Sequence, residues 1–342
     1  MENAVEKLPC TKCGEQKSLD AFYKNTRYSR GYMTVCKACL QKNSIRWNKI
    51  HKTKIHTARV PVPCAEISTI DLAWIAGFID AEGSFGVAAS TNNRAYPRIN
   101  VYNGDDRPLR YIAQKIGGAV STAVRKNPQF KLTQSENRLF IHSKAGVENA
   151  YRKLLPYMVI KKAHLEAVKK ACDCSKEVSF DLKQTLHALN KVSDIMIAGS
   201  VSKKVEFFDQ TPEQWAYFAG YLEGDGTFVL QPQYFGKTKY LYPWICVYST
   251  RIEGLRYMHD LFGGLIKTRK RKADWNVECC LSFQDSGYVK EIISRLGPYI
   301  KFRREELEIM LRACSVGSKE RQSMQDELKK IHGSFKEVDA DA

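Results

Sequence analysis

The feature that most constrains the fold of this chain is an internal duplication. Residues 68–87, STIDLAWIAGFIDAEGSFGV, align without a gap with residues 211–230, TPEQWAYFAGYLEGDGTFVL. Further on, residues 101–118, VYNGDDRPLRYIAQKIGG, align with residues 247–264, VYSTRIEGLRYMHDLFGG. Self-similarity at a near-constant spacing indicates repeated structural units. The 342 residues are therefore expected to form two copies of one domain design, each with its own core.

Each half shows the same order of predicted elements. A helix begins at the N-cap residues Ser68 and Thr211, and a hairpin, a second helix and another hairpin follow it. Two further helices then meet at a Pro-Tyr pair, which begins at Pro156 in the first half and at Pro298 in the second. This order predicts an α+β fold with two similar halves.

The same comparison predicts the domain boundaries. We expect a small cysteine-containing module, a basic linker, a first repeat, an inter-repeat linker with one helix, a second repeat, and a polar C-terminal tail that frays. In residue numbers these are 1–45, 46–67, 68–175, 176–210, 211–317 and 318–342.

The helix that opens each half carries glycine in its interior. Gly77 lies within IAGFIDAEG, residues 75–83, and Gly220 lies at the same place in FAGYLEGDG, residues 218–226. Glycine inside a helix costs about 0.5–1 kcal/mol relative to alanine. Its presence twice at one position predicts that the two helices pack closely against each other across a pseudo-two-fold axis.

Both helices end in two acids and a glycine. Helices packed in register would bring four carboxylates together, namely Asp80, Glu82, Glu223 and Asp225. Carboxylates at helix C-termini face the negative end of the helix dipole, so this arrangement needs a counter-ion. Clustered carboxylate oxygens suit Mg²⁺, which can activate water and hold a phosphodiester.

The two segments IAGFIDAEG and FAGYLEGDG resemble the repeated LAGLIDADG motif of homing endonucleases, because each keeps Ala-Gly, two acids and the final glycine. The resemblance covers roughly residues 68–315, in the single-chain, two-repeat form of the family. It implies a duplicated αββαββα fold with the motif helices at the inter-repeat interface and two antiparallel DNA-binding sheets. It also implies that Glu82 and Asp225 bind the catalytic magnesium, while Asp80 and Glu223 bond to backbone near the helix ends.

The resemblance implies further polar residues near the active site. Lys161 and Arg303 stand shortly after the Pro-Tyr pairs, where the family has a basic residue that could stabilise a leaving oxygen or polarise water. Each could equally be a surface side chain with a solvated charge. A water-ordering position falls near Asp105 in one half and Arg251 in the other. Since these two differ in charge, we expect unequal cleavage rates of the two DNA strands.

The charge of the chain predicts a polyanionic partner. Lysine and arginine number 54 against 37 acids, a net charge of +17, which favours nucleic acid first and an anionic membrane second. Basic and amide side chains follow the predicted hairpins, although a charge run is often only a solvated face. The candidate DNA-binding residues are Arg125, Lys126, Lys131, Gln231, Gln233, Lys267, Arg269, Lys270, Arg271 and Lys272. Tyr96, Tyr234 and Tyr240 would complete the reading surface.

A cysteine cluster near the N-terminus has the spacing of a structural zinc site. Cys10 and Cys13 form one CxxC pair, Cys36 and Cys39 form a second pair, and 22 residues lie between the pairs. Four thiolates at this spacing suit tetrahedral Zn²⁺ with no open position. The module resembles small zinc fingers attached to mobile nucleases, and a basic segment without acids follows it. Catalysis could instead lie here, as in HNH nucleases, but His51 and His56 lack the accompanying Asp, Asn and His pattern.

Together these features predict a site-specific double-stranded DNA endonuclease. We expect divalent-metal-dependent hydrolysis that leaves a staggered break at a long, asymmetric target. An intron RNA maturase and a non-cleaving DNA-binding protein on the same scaffold stay open as alternatives. The chain lacks a signal-peptide pattern and a long apolar stretch, so we expect a reducing intracellular compartment without membrane contact. We also expect a monomer.

Overall fold

The computed structural model describes residues 7–25, 30–41, 58–60, 66–89, 95–127, 132–173, 176–190, 200–205, 209–269 and 277–337. The chain divides into two compact units, residues 1–55 and residues 56–342. In the first unit, β1 (Lys7–Pro9) and β2 (Gln16–Ser18) form an antiparallel ribbon that a short 3₁₀ turn, Leu19–Ala21, follows. Its core consists of four buried residues, Leu8, Cys10, Phe22 and Cys36.

The second unit contains two repeats with the same elements. The first repeat consists of β3 (Ala58–Val60), α1 (Thr69–Glu82), β4 (Gly83–Ala89), β5 (Ala95–Asn103), α2 (Asp106–Ile116), β6 (Gly118–Asn127), β7 (Leu132–Ile141), α3 (Lys144–Leu154), α4 (Lys162–Lys170) and α5 (Lys176–Asn190). The second consists of β8 (Val201–Lys203), α6 (Pro212–Asp225), β9 (Gly226–Phe235), β10 (Thr238–Ser249), α7 (Ile252–Phe262), β11 (Gly264–Arg269), β12 (Glu278–Phe283), α8 (Ser286–Leu296), α9 (Arg304–Cys314) and α10 (Arg321–Glu337). The predicted α+β class and duplicated element order are confirmed.

Each repeat has one antiparallel sheet with five strands. The strand orders are β3-β6-β7-β5-β4 and β8-β11-β12-β10-β9, so the two sheets have identical topology. The outer strands β3 and β8 come from segments expected to be linkers, and each begins 11 residues before its motif helix. The repeated unit therefore extends further towards the N-terminus than the sequence comparison indicated. The strands were missed because ARV and VSK share no residue at matching positions.

Helices α1 and α6 pack against each other at the centre of the second unit, which we call the body. A Cβ atom on Gly77 would lie 2.0 Å from the carbonyl oxygen of Tyr217, and one on Gly220 would lie 2.0 Å from that of Trp74. The contact is reciprocal, since each glycine meets the backbone at the same place in the opposite helix. The predicted close approach through Gly77 and Gly220 is confirmed. Both helices are buried on nearly all sides, which is why neither shows a one-sided apolar stripe.

The expectation of a frayed C-terminal tail is wrong for residues 321–337, which form α10. Met324 and Leu328, four residues apart, are buried. The guanidinium of Arg321 donates to the carbonyl of Leu241 at 2.7 Å, which ties the helix to β10. Helix α5 stands at the same place in the first repeat, where Leu182 and Leu186 are buried in the same spacing. The two helices were missed as repeats because only a pair of apolar residues in each marks the buried face.

Candidate active site

The tips of the motif helices meet at the end of the interface. Helix α1 ends at Glu82 and helix α6 ends at Asp225, and a glycine follows each of them. A Cβ atom on Gly224 would lie 2.6 Å from the Cβ of Ala81 and 3.1 Å from the Cγ of Glu82. The small residue between the two acids of the second motif therefore lets the tips touch. This contact brings the second acids of both motifs to one place.

The first acid of each motif is a buried anchor for its own repeat. Asp80 accepts hydrogen bonds from the backbone N–H groups of Val159, Ile160 and Lys161 at 2.8–2.9 Å. It also accepts one from the hydroxyl of Tyr217, in the opposite helix, at 2.8 Å. The anchor joins the C-terminal end of α1 to the loop before α4, and it joins the two repeats to each other.

Glu223 repeats this arrangement in the second half. It accepts hydrogen bonds from the backbone N–H groups of Lys301, Phe302 and Arg303 and from the indole N–H of Trp74, the last at 2.8 Å. Trp74 and Tyr217 occupy matching positions in the two motif helices, so the bonds across the interface are reciprocal. The prediction that Asp80 and Glu223 bond to backbone near the helix ends is confirmed.

The second acids, Glu82 and Asp225, are the partly buried carboxylates at the meeting point. Burial and the negative charge of Asp225 raise the pKa of Glu82 to about 8, although Asn103 donates a hydrogen bond to it at 3.0 Å. Burial also raises the pKa of Asp225, which the charge of Lys161 opposes. Two partly buried carboxylates that repel each other, with oxygen as their only ligand atoms, fit a hard divalent cation such as Mg²⁺. Glu82 and Asp225 are the residues that would hold it.

Lys161 and Arg303 lie at the C-terminal ends of the motif helices. The ammonium of Lys161 donates to the carbonyls of Ala81 and Gly83, each at 2.8 Å, and burial lowers its pKa to about 8. The guanidinium of Arg303 donates to the carbonyls of Leu222 and Gly226 at 3.0 and 2.8 Å. Both cations thus offset the negative end of a helix dipole beside a motif acid. The alternative of a solvated surface position does not match these buried contacts.

Two cavities flank the helix tips, and matching positions of the two repeats line them. One, of about 470 Å³, is lined by Asp80, Lys161, Asn190, Asp225, Ser249 and Arg251, among others. The other, of about 260 Å³, is lined by Asn103, Asp105, Glu223, Arg303, Glu306 and His332, among others. We call them the Lys161 cavity and the Arg303 cavity. The predicted polar positions Asp105 and Arg251 lie in the cavities, one in each.

The sequence comparison missed four polar residues around these cavities, His164, Asn190, Glu306 and His332. Glu306 and His164 stand three residues after Arg303 and Lys161, one helical turn away, which is the one signal that could have found them. Arg303 binds Glu306 through Nε at 2.7 Å and through Nη2. Asn190 and His332 come from α5 and α10, whose repeat relationship was not visible in the sequence.

The face of each sheet that points away from the helices is open. In the second repeat, Gln231 and Lys267 line a depression of about 440 Å³ on this face, and Gln233 follows Gln231 at the spacing of two that keeps a strand residue on one face. Tyr240 pairs with Gln233, whereas Tyr234 lies on the opposite face with its partner Lys239. In the first repeat, Arg98 and Arg138 alternate with buried residues and lie on the open face with Tyr96, and the sequence comparison missed both arginines.

Several candidate DNA-binding residues lie partly or wholly outside the described part of the chain. Arg125, Lys126 and Arg269 belong to strands β6 and β11, but their side chains are not described. Lys131, Lys270, Arg271 and Lys272 lie outside the described residues, as do His51 and His56.

The four cysteines of the N-terminal unit converge. The Sγ atoms of Cys10, Cys13, Cys36 and Cys39 all lie within 4.8 Å of one another. A tetrahedral zinc ion with Zn–S distances of about 2.3 Å places its sulfurs at comparable separations. Backbone N–H groups, first that of Cys36, lower the pKa of Cys10 to about 6 and so favour the thiolate that binds metal. The donor set fits Zn²⁺.

No protein-family model matches this chain, and no curated protein sequence matches it. None of the helices in the described ranges has the length and apolar composition needed to cross a bilayer.

Solved structures do match it. The LAGLIDADG homing endonuclease I-GzeII in complex with its DNA target superposes with a TM-score of 0.51 at 18% identity, covering 80% of this chain and 98% of that one. The meganuclease I-SmaMI bound to uncleavable DNA gives 0.50 at 15%, over 80% of this chain and 96% of that one. The LAGLIDADG meganuclease I-AabMI bound to uncleaved DNA gives 0.50 at 17%, over 78% and 98%. The duplicated body of this chain therefore has the fold of the LAGLIDADG homing endonucleases.

Proposed function

We propose that this chain is a site-specific, divalent-metal-dependent endonuclease of double-stranded DNA that makes a staggered break at a long, asymmetric target. The observation that carries the proposal is the contact of the two motif helices at their tips. At this contact Glu82 and Asp225 lie together, beside the partly buried cations Lys161 and Arg303. A structural role for these acids would not require two partly buried carboxylates that destabilise each other.

Each residue of the site has a role in this proposal. When bound, a divalent cation supplies charge neutralisation and a more acidic water. Glu82 and Asp225 hold the cation, while Lys161 and Arg303 stabilise negative charge on the phosphate and the leaving oxygen. Asp105 and Arg251 order water at the two cavities. Asp80 and Glu223 hold the loops that carry Lys161 and Arg303 against the helix tips.

The open faces of the two sheets are the proposed DNA-binding surface. Antiparallel strands fit the major groove, where arginine and lysine bind guanine edges and glutamine binds adenine. Arg98, Arg138, Gln231, Gln233 and Lys267 are suited to this role. The net charge of +17 supports phosphate contacts around them, so affinity should fall steeply with salt concentration. The two faces differ in sequence, which suits an asymmetric target.

The N-terminal unit is proposed to be a structural zinc module that adds DNA contacts. Its four ligands leave no position for substrate, and its core is too small to fold without metal. The basic residues after the module support a role in DNA binding rather than in catalysis.

Cleavage-site selection tests the proposed function. The purified full chain, loaded with Zn²⁺, is incubated with a randomised-target plasmid library in the presence of Mg²⁺, and linear products are sequenced. Recovery of one long asymmetric target with a staggered cut is the expected result. Tight binding of a structured intron RNA without any DNA product would favour the maturase alternative. Selective DNA binding without a product would favour the non-cleaving alternative.

A further inference from the structure

The two cavities beside the helix tips differ in charge at matching positions of the repeats. Arg251, the residue before α7, lines the Lys161 cavity, whereas Asp105, the residue before α2, lines the Arg303 cavity. One cavity therefore has a second cation where the other has a carboxylate. Glu278 also lines the Lys161 cavity, and Arg107 pairs with Asp105 at 2.6 Å in the other. At this one position the difference favours an anionic phosphate in the Lys161 cavity.

A second difference lies one helical turn after each basic residue. Glu306 is 2% exposed and binds Arg303 through both carboxylate oxygens. Burial alone would raise the pKa of Glu306, but hydrogen bonds from Arg303 and His332 lower it to about 2, so it is ionised. At the matching position, burial and then the charge of Arg251 lower the pKa of His164 to about 4, so it is neutral. The charge of Arg303 is compensated by direct contact with Glu306. The motif carboxylates Asp80, Asp225 and Glu82 also act on Lys161 through their charges, but among the described residues none of them forms a direct ion pair with it.

The last helix of each repeat reinforces this difference. From α10, the Nε2 atom of His332 lies 2.8 Å from an oxygen of Glu306, which holds the carboxylate against Arg303. In the first repeat, the end of α5 instead binds Arg251. The guanidinium of Arg251 donates to the carbonyl of Leu189 at 2.6 Å and to the side chain of Asn190 at 3.4 Å. One helix therefore fixes an anion beside its cavity, and the other fixes a cation.

We propose that Glu306 is a positioning residue that makes the two cleavage centres unequal, so that the DNA strand in the Lys161 cavity is cut first. The inference rests on the proposed function. In each cut, water adds to phosphorus, the bond from phosphorus to one sugar oxygen breaks, and that oxygen takes up a proton. In the transition state of this reaction, negative charge builds up on the phosphoryl oxygens. Arg303 binds the carboxylate of Glu306 through Nε and Nη2, so its charge is neutralised locally. The ammonium of Lys161 donates only to neutral carbonyls, those of Ile79, Ala81 and Gly83, and its charge therefore has more capacity, with that of Arg251, to stabilise the phosphoryl group.

The repeat relationship supplies a matched pair of substitutions. The substrate is the selected duplex with the two strands labelled differently, and the rate of nicking is measured for each strand. The wild-type chain is expected to nick one strand at least about tenfold faster, which corresponds to 1.36 kcal/mol in the barrier. Lys161→Ala should slow the faster strand more than the slower one, and this result would identify the faster strand as the one in the Lys161 cavity. Glu306→Gln should accelerate the slower strand, and His164→Glu should slow the faster one.

Glu306→Gln and His164→Glu are each expected to move the ratio of strand rates towards one, and the variant that carries both should move it furthest. A merely structural role of Glu306 would lower both rates together and leave the ratio unchanged. Glu308→Gln, at an exposed position of the same helix, is the control and should change neither rate. Thermal unfolding of each variant verifies that it is folded.

Three outcomes would overturn the inference. Equal strand rates in the wild-type chain would refute it, and so would a ratio that stays constant in both folded variants. In either case cleavage still occurs, so the proposed function survives. Absence of cleavage by the wild-type chain on its selected target would refute the proposed function, and this inference with it.

Discussion

The indole N–H of Trp74 donates a hydrogen bond of 2.8 Å to the carboxylate of Glu223, across the boundary between the two repeats. Its counterpart is the bond from the Tyr217 hydroxyl to Asp80. Each repeat thus donates a side-chain hydrogen bond to the buried acid of the other repeat. The acids in turn hold the loops before α4 and α9, which carry Lys161 and Arg303. The inter-repeat interface and the geometry of the candidate active site are therefore stabilised by the same contacts.

Removing one of these donors should destabilise the body. Trp74→Phe keeps an aromatic ring but leaves Glu223 without its side-chain partner, and Tyr217→Phe does the same for Asp80. We expect each to lower the free energy of unfolding by about 1–3 kcal/mol, the cost of a buried polar group that loses a partner. Urea unfolding measures it. Tyr234→Phe, at a side chain that is 68% exposed, is the control, and an equal loss there would contradict the explanation.

The glycines of the interface should tolerate no side chain. Gly77→Ala and Gly220→Ala would each place a methyl group 2.0 Å from a carbonyl oxygen of the opposite helix. Overpacking costs about 1–3 kcal/mol where side chains can yield, and a backbone clash should exceed that range. Gly86→Ala, where no atom lies within 4 Å of the added group, is the matched control. Similar melting temperatures for all three variants would show that the helices separate more easily than the structure indicates.

The stability of the interface should depend on pH below about 4. Lys301 of the second repeat binds Asp71 of the first at 2.9 Å. Burial would raise the pKa of Asp71, but hydrogen bonds from Lys115, Tyr111 and Lys301 outweigh it and lower that pKa below its ordinary value. A depressed pKa stabilises the folded state above the pKa of the unfolded chain, and the contribution is lost as pH falls.

Asp71→Asn tests this pH dependence. Between about pH 5 and about pH 2, the free energy of unfolding of the wild-type chain should fall more steeply than that of the variant. Parallel curves would show that Asp71 titrates normally. Asp260→Asn, at a side chain that is 75% exposed, should leave the curve of the wild-type chain unchanged.

The second acid of each motif, Glu82 or Asp225, should be required for DNA cleavage but not for DNA binding. Glu82→Gln and Asp225→Asn are expected to abolish cleavage of the selected target. Both should keep target binding in the absence of metal. Glu82, whose pKa is raised to about 8, carries little charge at pH 7, and loss of the Asp225 carboxylate reduces repulsion of phosphate. Gel-shift and cleavage assays on one duplex separate the two effects. Asp260→Asn should cleave normally, and full activity of Glu82→Gln would remove that residue from the metal site.

The cysteine cluster should be separable from catalysis. Cys13→Ser, or removal of zinc by a chelator, should unfold the N-terminal unit, since its core contains four buried residues, two of them ligands. The body has its own core, so its melting temperature should not change. We expect weaker DNA binding with retained cleavage at high protein concentration. Unchanged affinity would show that the module contributes no DNA contacts.

Much of the architecture was predictable because it depends on local or repeated patterns. The capping residues Ser68 and Thr211 begin the motif helices as expected, and Thr211 with Gln214 forms a capping box. The backbone role of Asp80 and Glu223 was also predictable, since it follows from a family resemblance in the residues themselves. Strands β3 and β8 and helix α10 were not, because three-residue strands and a helix with two buried apolar residues leave almost no periodic signal.

By itself, the sequence determined the duplication, the close helix pair with its acids, and the four-cysteine site, because spacing along the chain is sufficient to specify each of them. The tertiary structure alone decided which distant side chains meet. The Glu306–His332 contact joins residues on different helices, and the Trp74–Glu223 bond joins different repeats. A buried ion pair and a solvated charge consist of the same residue types in a sequence. Only the packing of the helices, which excludes water from one and not from the other, distinguishes them.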